Sequence, residues 1–227
     1  MRLAALFEDR RDAGRRLSAA LGHYRDSRPV VLALPRGGVP VGFEVAKALA
    51  APLDVLLVRK IGAPGHEELG LGAVVEGQDP QLVLNEAVVR TVGPPPGYIE
   101  AEKQRQLAEI ERQRRQYVGE RPAIAMDGRI VIIVDDGIAT GGTVRATLRG
   151  ISQHQPARLV LAIPVAPADS LRELATECDD IVCLATPEPF FAVGRHYRDF
   201  TQTDDSEVVR LLEEARRWSA APAEPPG

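Results

Sequence analysis

Apolar and polar positions change period several times along the chain. Phe7, Ala13, Leu17 and Leu21 recur at near-helical spacing, which predicts an amphipathic opening helix over 7–21. The period then collapses. Residues 29–34 form a short apolar run bounded by Pro29 and by Arg36, Gly37 and Gly38, the pattern of a buried strand ending in a glycine-rich loop. Residues 39–50 read as a helix and 53–58 as a second strand. A third strand at 129–134 precedes a loop and a helix over 143–154. Two further strands, 158–165 and 180–184, flank a helix over 171–177. Strand and helix alternate at the length of βαβ units, which predicts an α/β fold: a parallel sheet of about five strands with helices on both faces.

Two stretches interrupt this alternation. The apolar triplets 73–75 and 82–84 flank Gly77 and Pro80, predicting a β-hairpin. After the Gly/Pro cluster at 93–97, residues 98–117 are dense in charge, with Ile99, Leu107 and Ile110 as aliphatic anchors, and read as a helix resting lightly on the rest. Residues 62–120 are therefore expected to be an insertion of the lid or flexible-loop kind. The core is assigned to 1–61 and 121–186, a C-terminal hood on the substrate side to 187–218, and a frayed, Ala/Pro-rich tail to 219–227.

Composition narrows the partners. Basic residues number 28 against 32 acidic, a net charge of −4, so no polybasic surface recommends nucleic acid or a membrane as partner. The longest apolar run, 159–168, is broken by Pro164 and Pro167, too short and interrupted for a membrane span. Residues 3–7 are the only apolar stretch before Glu8, too few for a secretory leader. Cys178 and Cys183 form no C-x-x-C pair, and His23, His66, His154 and His196 lack metal-ligand spacing. A cytoplasmic protein without a structural zinc or disulfide framework is expected.

The strongest chemical signal runs from 131 to 143. A buried strand delivers Asp135 and Asp136 at its carboxyl end, where ligands bind in open α/β sheets. Adjacent carboxylates suit vicinal sugar hydroxyls or a hydrated divalent cation. Ala139, Thr140, Gly141, Gly142 and Thr143 then open a helix, and glycines at a helix N-terminus let backbone N–H groups converge on a phosphate. Acids and nest lie one loop apart, the reach of a ribose 5-phosphate. The lysine of a P-loop is missing, because Gly142 is followed directly by Thr143, and no G-x-G-x-x-G follows a strand.

This segment resembles the phosphoribosyl-pyrophosphate motif of the type I phosphoribosyltransferases. The resemblance implies that Asp135 and Asp136 bind the ribose, directly or through water-held Mg²⁺, and that 139–143 bind the 5-phosphate. The loop Arg36–Gly37–Gly38 is similar to the family's pyrophosphate loop, and Arg59 and Lys60, at the end of the second strand, stand where the family places basic groups near the leaving pyrophosphate. Fixed cations and N–H groups there stabilise charge that develops in the transition state, making Arg36, Lys60, Asp135 and Asp136 the candidate catalytic set. The window 190–200 holds four of the chain's ten aromatics and resembles the tail of the hypoxanthine–guanine enzymes, which makes Phe191 a candidate to stack on the base and Arg198 a further pyrophosphate ligand. The same aromatics equally suit pinning this segment to the core.

The implied activity is transfer of ribose 5-phosphate from 5-phosphoribosyl-1-pyrophosphate to a nitrogen nucleophile, a nucleobase, with Mg²⁺ as cofactor and a homodimer as the assembly. The resemblance is incomplete. Hypoxanthine–guanine enzymes carry an aspartate base where this chain has Ala139, so the acceptor stays open. A regulator that binds phosphoribosyl pyrophosphate without turnover is the alternative. His66, Glu67 and Glu68 could supply a general base, but they read better as a solvated turn.

Overall fold

The computed structural model describes residues 5–77 and 79–219; of the tail expected over 219–227, Ser219 ends a helix and the rest lies outside the described residues. Its centre is a five-stranded parallel sheet. In chain order the strands are β1 (Val30–Ala33), β2 (Leu53–Val55), β6 (Ile130–Val134), β7 (Arg158–Val165) and β8 (Asp180–Ala185), with spatial order β2-β1-β6-β7-β8. The strands read as unbroken apolar runs because both faces are covered. Val31, Ala33, Ile132, Val134, Val160 and Ala162 pack into one apolar cluster, and Val30, Leu32, Val131, Ile133, Leu159, Leu161 and Ile163 into the other. The first cluster takes in α1 (Arg10–Ala20), α2 (Gly38–Leu49) and α7 (Asp205–Ser219); the second takes in α5 (Gly142–Ser152) and α6 (Ala168–Leu174). Asp9 caps α1 by accepting the Asp12 N–H at 2.7 Å. No helix among the described residues is long and apolar enough to cross a membrane.

The apolar run 53–58 is not one strand. β2 stops at Val55, because Leu57 turns its N–H to the carboxylate of Glu76 (2.9 Å) and its carbonyl accepts the Glu76 N–H (2.9 Å) instead of continuing along β1. The chain then enters β3 (Val58–Ala63), first strand of a separate antiparallel sheet with β4 (His66–Val75) and β5 (Gln81–Leu84). Arg59 and Lys60 therefore lie on β3, opposite Val74 and Ala73, not at the end of a core strand. The expected hairpin is the β4–β5 part of this sheet, with Ala73 opposite Val83. His66, Glu67 and Glu68 lie exposed on β4. Two helices escape the sequence pattern: α3 (Glu86–Val92), and α7, which buries Val208, Leu211, Leu212 and Ala215.

The charge-dense stretch is α4 (Tyr98–Val118), and it is pinned rather than lightly resting. Ile110, Tyr117 and Val118 are buried, and Arg114 reaches inward to Asp54 Oδ2 and Glu76 Oε1, each 2.9 Å away. These side chains are 14%, 8% and 5% exposed, so the second sheet, α4 and the end of β2 meet at a buried ionic triad. Burial pushes the Glu76 carboxyl up, opposed by the Arg114 charge and the Leu57 N–H. Arg114→Leu leaves two buried carboxylates without their cation and is expected to cost about 3–5 kcal/mol in urea unfolding. Arg115→Leu, which removes only exposed pairs with Glu111 and Glu120, should change stability little by comparison.

Candidate active site

β1 and β6 are neighbours in register, and the Leu34 N–H donates to the Val134 carbonyl at 2.9 Å just beyond the ladder. The loops after the two strands consequently leave the sheet side by side. At Gly38 an added Cβ would sit 2.8 Å from the Val134 carbonyl oxygen and 3.0 Å from Asp135 Cα; at Gly37 it would overlap the Asp136 carboxylate. The glycines are required there by contact, since Gly37 itself has ordinary helical angles, φ −61° and ψ −33°. The loop Arg36–Gly38 is thus pressed directly on the acid pair.

Both acids are recessed. Asp135 Oδ1 accepts the Asp136 N–H at 2.8 Å, while Asp136 Oδ2 accepts from Arg10 Nε at 2.8 Å. Burial, then the neighbouring Asp136 charge, raises the Asp135 carboxyl well above the ordinary range. Burial raises Asp136 too, and the Arg10 guanidinium opposes it. Two like charges sharing this site make it receptive to positive charge or to hydroxyl donors.

Past the acids, Gly141 has φ +73° and caps α5 without any side-chain hydrogen bond to the helix's first N–H groups. Thr140 and Gly142 are exposed there. Between this helix start and the three-stranded sheet lies a cavity of about 450 Å³ whose lining includes Lys60, Asn85, Thr140, Gly142, Thr143 and Arg149. Its geometry is that of an anion nest with a lysine on the opposite wall.

The aromatic window folds over the acid loop from the other side. Tyr197 donates its hydroxyl to the Asp136 carbonyl at 2.5 Å, and Val193 abuts Gly137, where a Cβ would lie 2.6 Å from Val193 Cγ1. Phe190 packs on His196, and Tyr197 on both Phe7 and Phe200. Phe191 is the most exposed of these, 64% against 37% for Phe200, with the Arg195 guanidinium 5.2 Å from its ring centre. Pinning and presentation are divided between neighbours in the sequence.

A family model described as a phosphoribosyl transferase domain matches residues 7–197. The chain belongs to the phosphoribosyl transferase family. Two Mycobacterium tuberculosis proteins, MT0597 and Rv0571c, each named as a candidate phosphoribosyl transferase, are 48% identical over 227 residues, an alignment covering 97% of this chain and 51% of theirs. The chain therefore spans about half the length of these curated relatives. The crystal structure of TT1426 from Thermus thermophilus is similar with a TM-score of 0.80 at 43% identity, covering 92% of this chain and 98% of that one.

Within this phosphoribosyl transferase domain, Asp135, Asp136, Gly37 and Gly38 converge, and Lys60 shares a cavity with Thr140, Gly142 and Thr143. The other predicted cations are turned to partners of their own. Arg36 lies 3.8 Å from Asp205 Oδ1; Arg59 pairs with Glu109 at 2.9 Å and donates to Gln113 at 3.0 Å. Arg198 pairs with Glu8 at 2.9 Å and is 74% exposed. Sequence reasoning missed Arg10. As one of many arginines, in a helix far from the motif, it carries no local signal; Tyr197 was visible only as part of an aromatic cluster. Gly37→Ala is expected to displace the Asp136 carboxylate and lower stability by about 1–3 kcal/mol in thermal unfolding. Gly22→Ala, which meets nothing within 4 Å, should stay near the unsubstituted protein.

Proposed function

We propose that this chain transfers the 5-phosphoribosyl group of 5-phosphoribosyl-1-pyrophosphate to a nitrogen nucleophile, a nucleobase, releasing pyrophosphate. The observation that carries this reading is the acid pair at the end of β6, pressed on the Arg36–Gly38 loop on one side and followed at once by the open α5 nest. In the reaction the bond from ribose C1 to the pyrophosphate oxygen breaks, and its electron pair leaves with pyrophosphate. The acceptor nitrogen forms the new bond to C1 and gives up its proton to solvent. Asp135 and Asp136 accept hydrogen bonds from the ribose hydroxyls and hold the ring. Thr140, Thr143 and the N–H groups at the start of α5 hold the 5-phosphate, with Lys60 across the cavity.

Arg36 and the loop it heads meet the pyrophosphate, and Arg59 joins them by exchanging Glu109 and Gln113 for the ligand. Phe191, turned outward with Arg195 over its ring, offers its exposed face to the acceptor ring. Arg198, paired with Glu8 at the surface, has no part in this scheme.

The acid pair also suits Mg²⁺. Arg10 hydrogen-bonds only one of the two recessed carboxylates, and burial and the neighbouring charge oppose ionising both, which a bound cation would relieve. Among the described residues no group of three or more ligating side chains comes together, so Asp135 and Asp136 are the side chains that would hold the ion. Mg²⁺ bound there would neutralise charge on the departing pyrophosphate.

One observation favours a second reading. Ala139 stands exposed in the loop with its carbonyl accepting from Ser170, so the loop offers no base to the acceptor, as suits a protein that binds the sugar phosphate without turnover. Calorimetric titration with phosphoribosyl pyrophosphate should show micromolar binding with Mg²⁺ and its loss with EDTA. The double variant Asp135→Asn/Asp136→Asn should abolish that binding, and micromolar affinity in it would overturn the assignment. Pyrophosphate release that depends on an added nucleobase separates enzyme from sensor.

A further inference from the structure

Arg10 belongs to α1, more than a hundred residues from the acid motif, yet two of its guanidinium nitrogens are bonded at the site. Its Nε donates to Asp136 Oδ2 at 2.8 Å, its Nη1 donates to the Thr201 carbonyl at 2.7 Å, and its guanidinium lies 3.9 Å from the centre of the Phe200 ring. The side chain is 11% exposed and that of Asp136 14%. A Cβ placed on Gly37 would come within 3.2 Å of the same Nε, so Arg10 touches the Asp136 carboxylate where the pyrophosphate-loop backbone also approaches it.

The terminal segments hold together without this arginine. Phe7 and Tyr197 form a parallel bridge, the Leu6 and Phe7 N–H groups donate to the His196 carbonyl, and the Arg198 N–H donates to the Phe7 carbonyl. A buried guanidinium is an expensive addition if fastening were its only task, since desolvating the charge offsets much of what the ion pair returns. What Arg10 adds is direction. A carboxylate beside a like charge would otherwise swing from its neighbour; here one oxygen is held by Arg10, which sets the orientation of the whole carboxylate.

We propose that Arg10 is a positioning residue for phosphoribosyl binding, fixing the Asp136 carboxylate so that its free oxygen and Asp135 together meet the ribose diol. This rests on the function proposed above. The guanidinium acts through Asp136 and does not itself touch the ligand. Loss of Arg10 therefore weakens recognition of the sugar rather than of pyrophosphate.

The test compares Arg10→Met, Arg10→Lys and Arg11→Met with the unsubstituted protein by calorimetry, using phosphoribosyl pyrophosphate, ribose 5-phosphate and inorganic pyrophosphate as separate titrants. Arg11 is the control: it neighbours Arg10 on α1 but pairs with Glu44 at 2.8 Å and lies over Phe43. Arg10→Met is expected to weaken phosphoribosyl pyrophosphate and ribose 5-phosphate about tenfold, with pyrophosphate within about twofold, as fits loss of one charge-assisted hydrogen bond. Arg11→Met should bind all three as the unsubstituted protein does. Should Arg10→Met fail to fold, Arg10→Lys decides. It keeps the charge but lacks the fork that reaches Asp136 and Thr201 together, so it should weaken the two sugar ligands about threefold. In the Asp136→Ala background, which removes the acceptor, removing Arg10 should add almost nothing. Unchanged sugar affinity in the folded Arg10 variants, or an equal loss for pyrophosphate, overturns the inference. Failure of the unsubstituted protein to bind phosphoribosyl pyrophosphate would instead count against the proposed function.

Discussion

No side chain fits between the loop that leaves β1 and the loop that leaves β6, and the site depends on that exclusion. Gly38 lies against the Val134 carbonyl and Asp135, and Gly37 against the Asp136 carboxylate. The pairing of β1 with β6 sets where both loops begin, and the glycines let them stay in contact after the ladder ends. A parallel sheet buried on both faces can hold such a contact still, because its strands are locked by apolar packing from two sides. The close approach brings a backbone able to face an anion beside carboxylates able to face a diol, although the two segments lie a hundred residues apart in the sequence.

The second sheet contributes to the site only because it is anchored. β3 opens where Leu57 abandons the core ladder for Glu76, and Glu76 in turn meets Arg114 from α4. The same arginine meets Asp54 on β2. The other side of the sheet leans on α5, where a Cβ at Gly150 would lie 2.7 Å from the Val75 Cβ. Held at both ends, the sheet forms one wall of the cavity that opens at the α5 nest, and Lys60 stands on that wall.

Much of this was legible in the sequence, for physical reasons that differ from element to element. Continuous apolar runs at 29–34, 129–134 and 158–165 announce doubly covered strands, and the acid-glycine segment 135–143 is local, so its chemistry can be read without knowing its neighbours. The break between β2 and β3 was hidden because Leu57 remains buried after its N–H leaves the core sheet for Glu76; hydropathy records burial, not hydrogen-bond partners. α4 was under-read because what pins it is an arginine, a residue whose pattern says surface while its pairing with Asp54 and Glu76 places it inside. Arg10 was unreadable for the same reason. Long-range ion pairs leave no periodicity.

The ion pairs around the site fall into two classes that explain how a polyanion could enter beside two acids. Arg36 and Asp205 are 40% and 42% exposed, and Arg59 and Glu109 are about a third exposed; such pairs contribute little, and exchanging the carboxylate partner for a phosphate costs little. The Arg10–Asp136 pair is recessed and further tied to Thr201 and Phe200, so breaking it would strand charge out of water. Exchangeable cations thus lie toward the rim while the acids and their fixed counter-charge sit below. On the proposed function, an arriving sugar phosphate would meet positive charge first and would reach the carboxylates through its hydroxyls, so like-charge repulsion would be avoided by depth rather than by removing the acids.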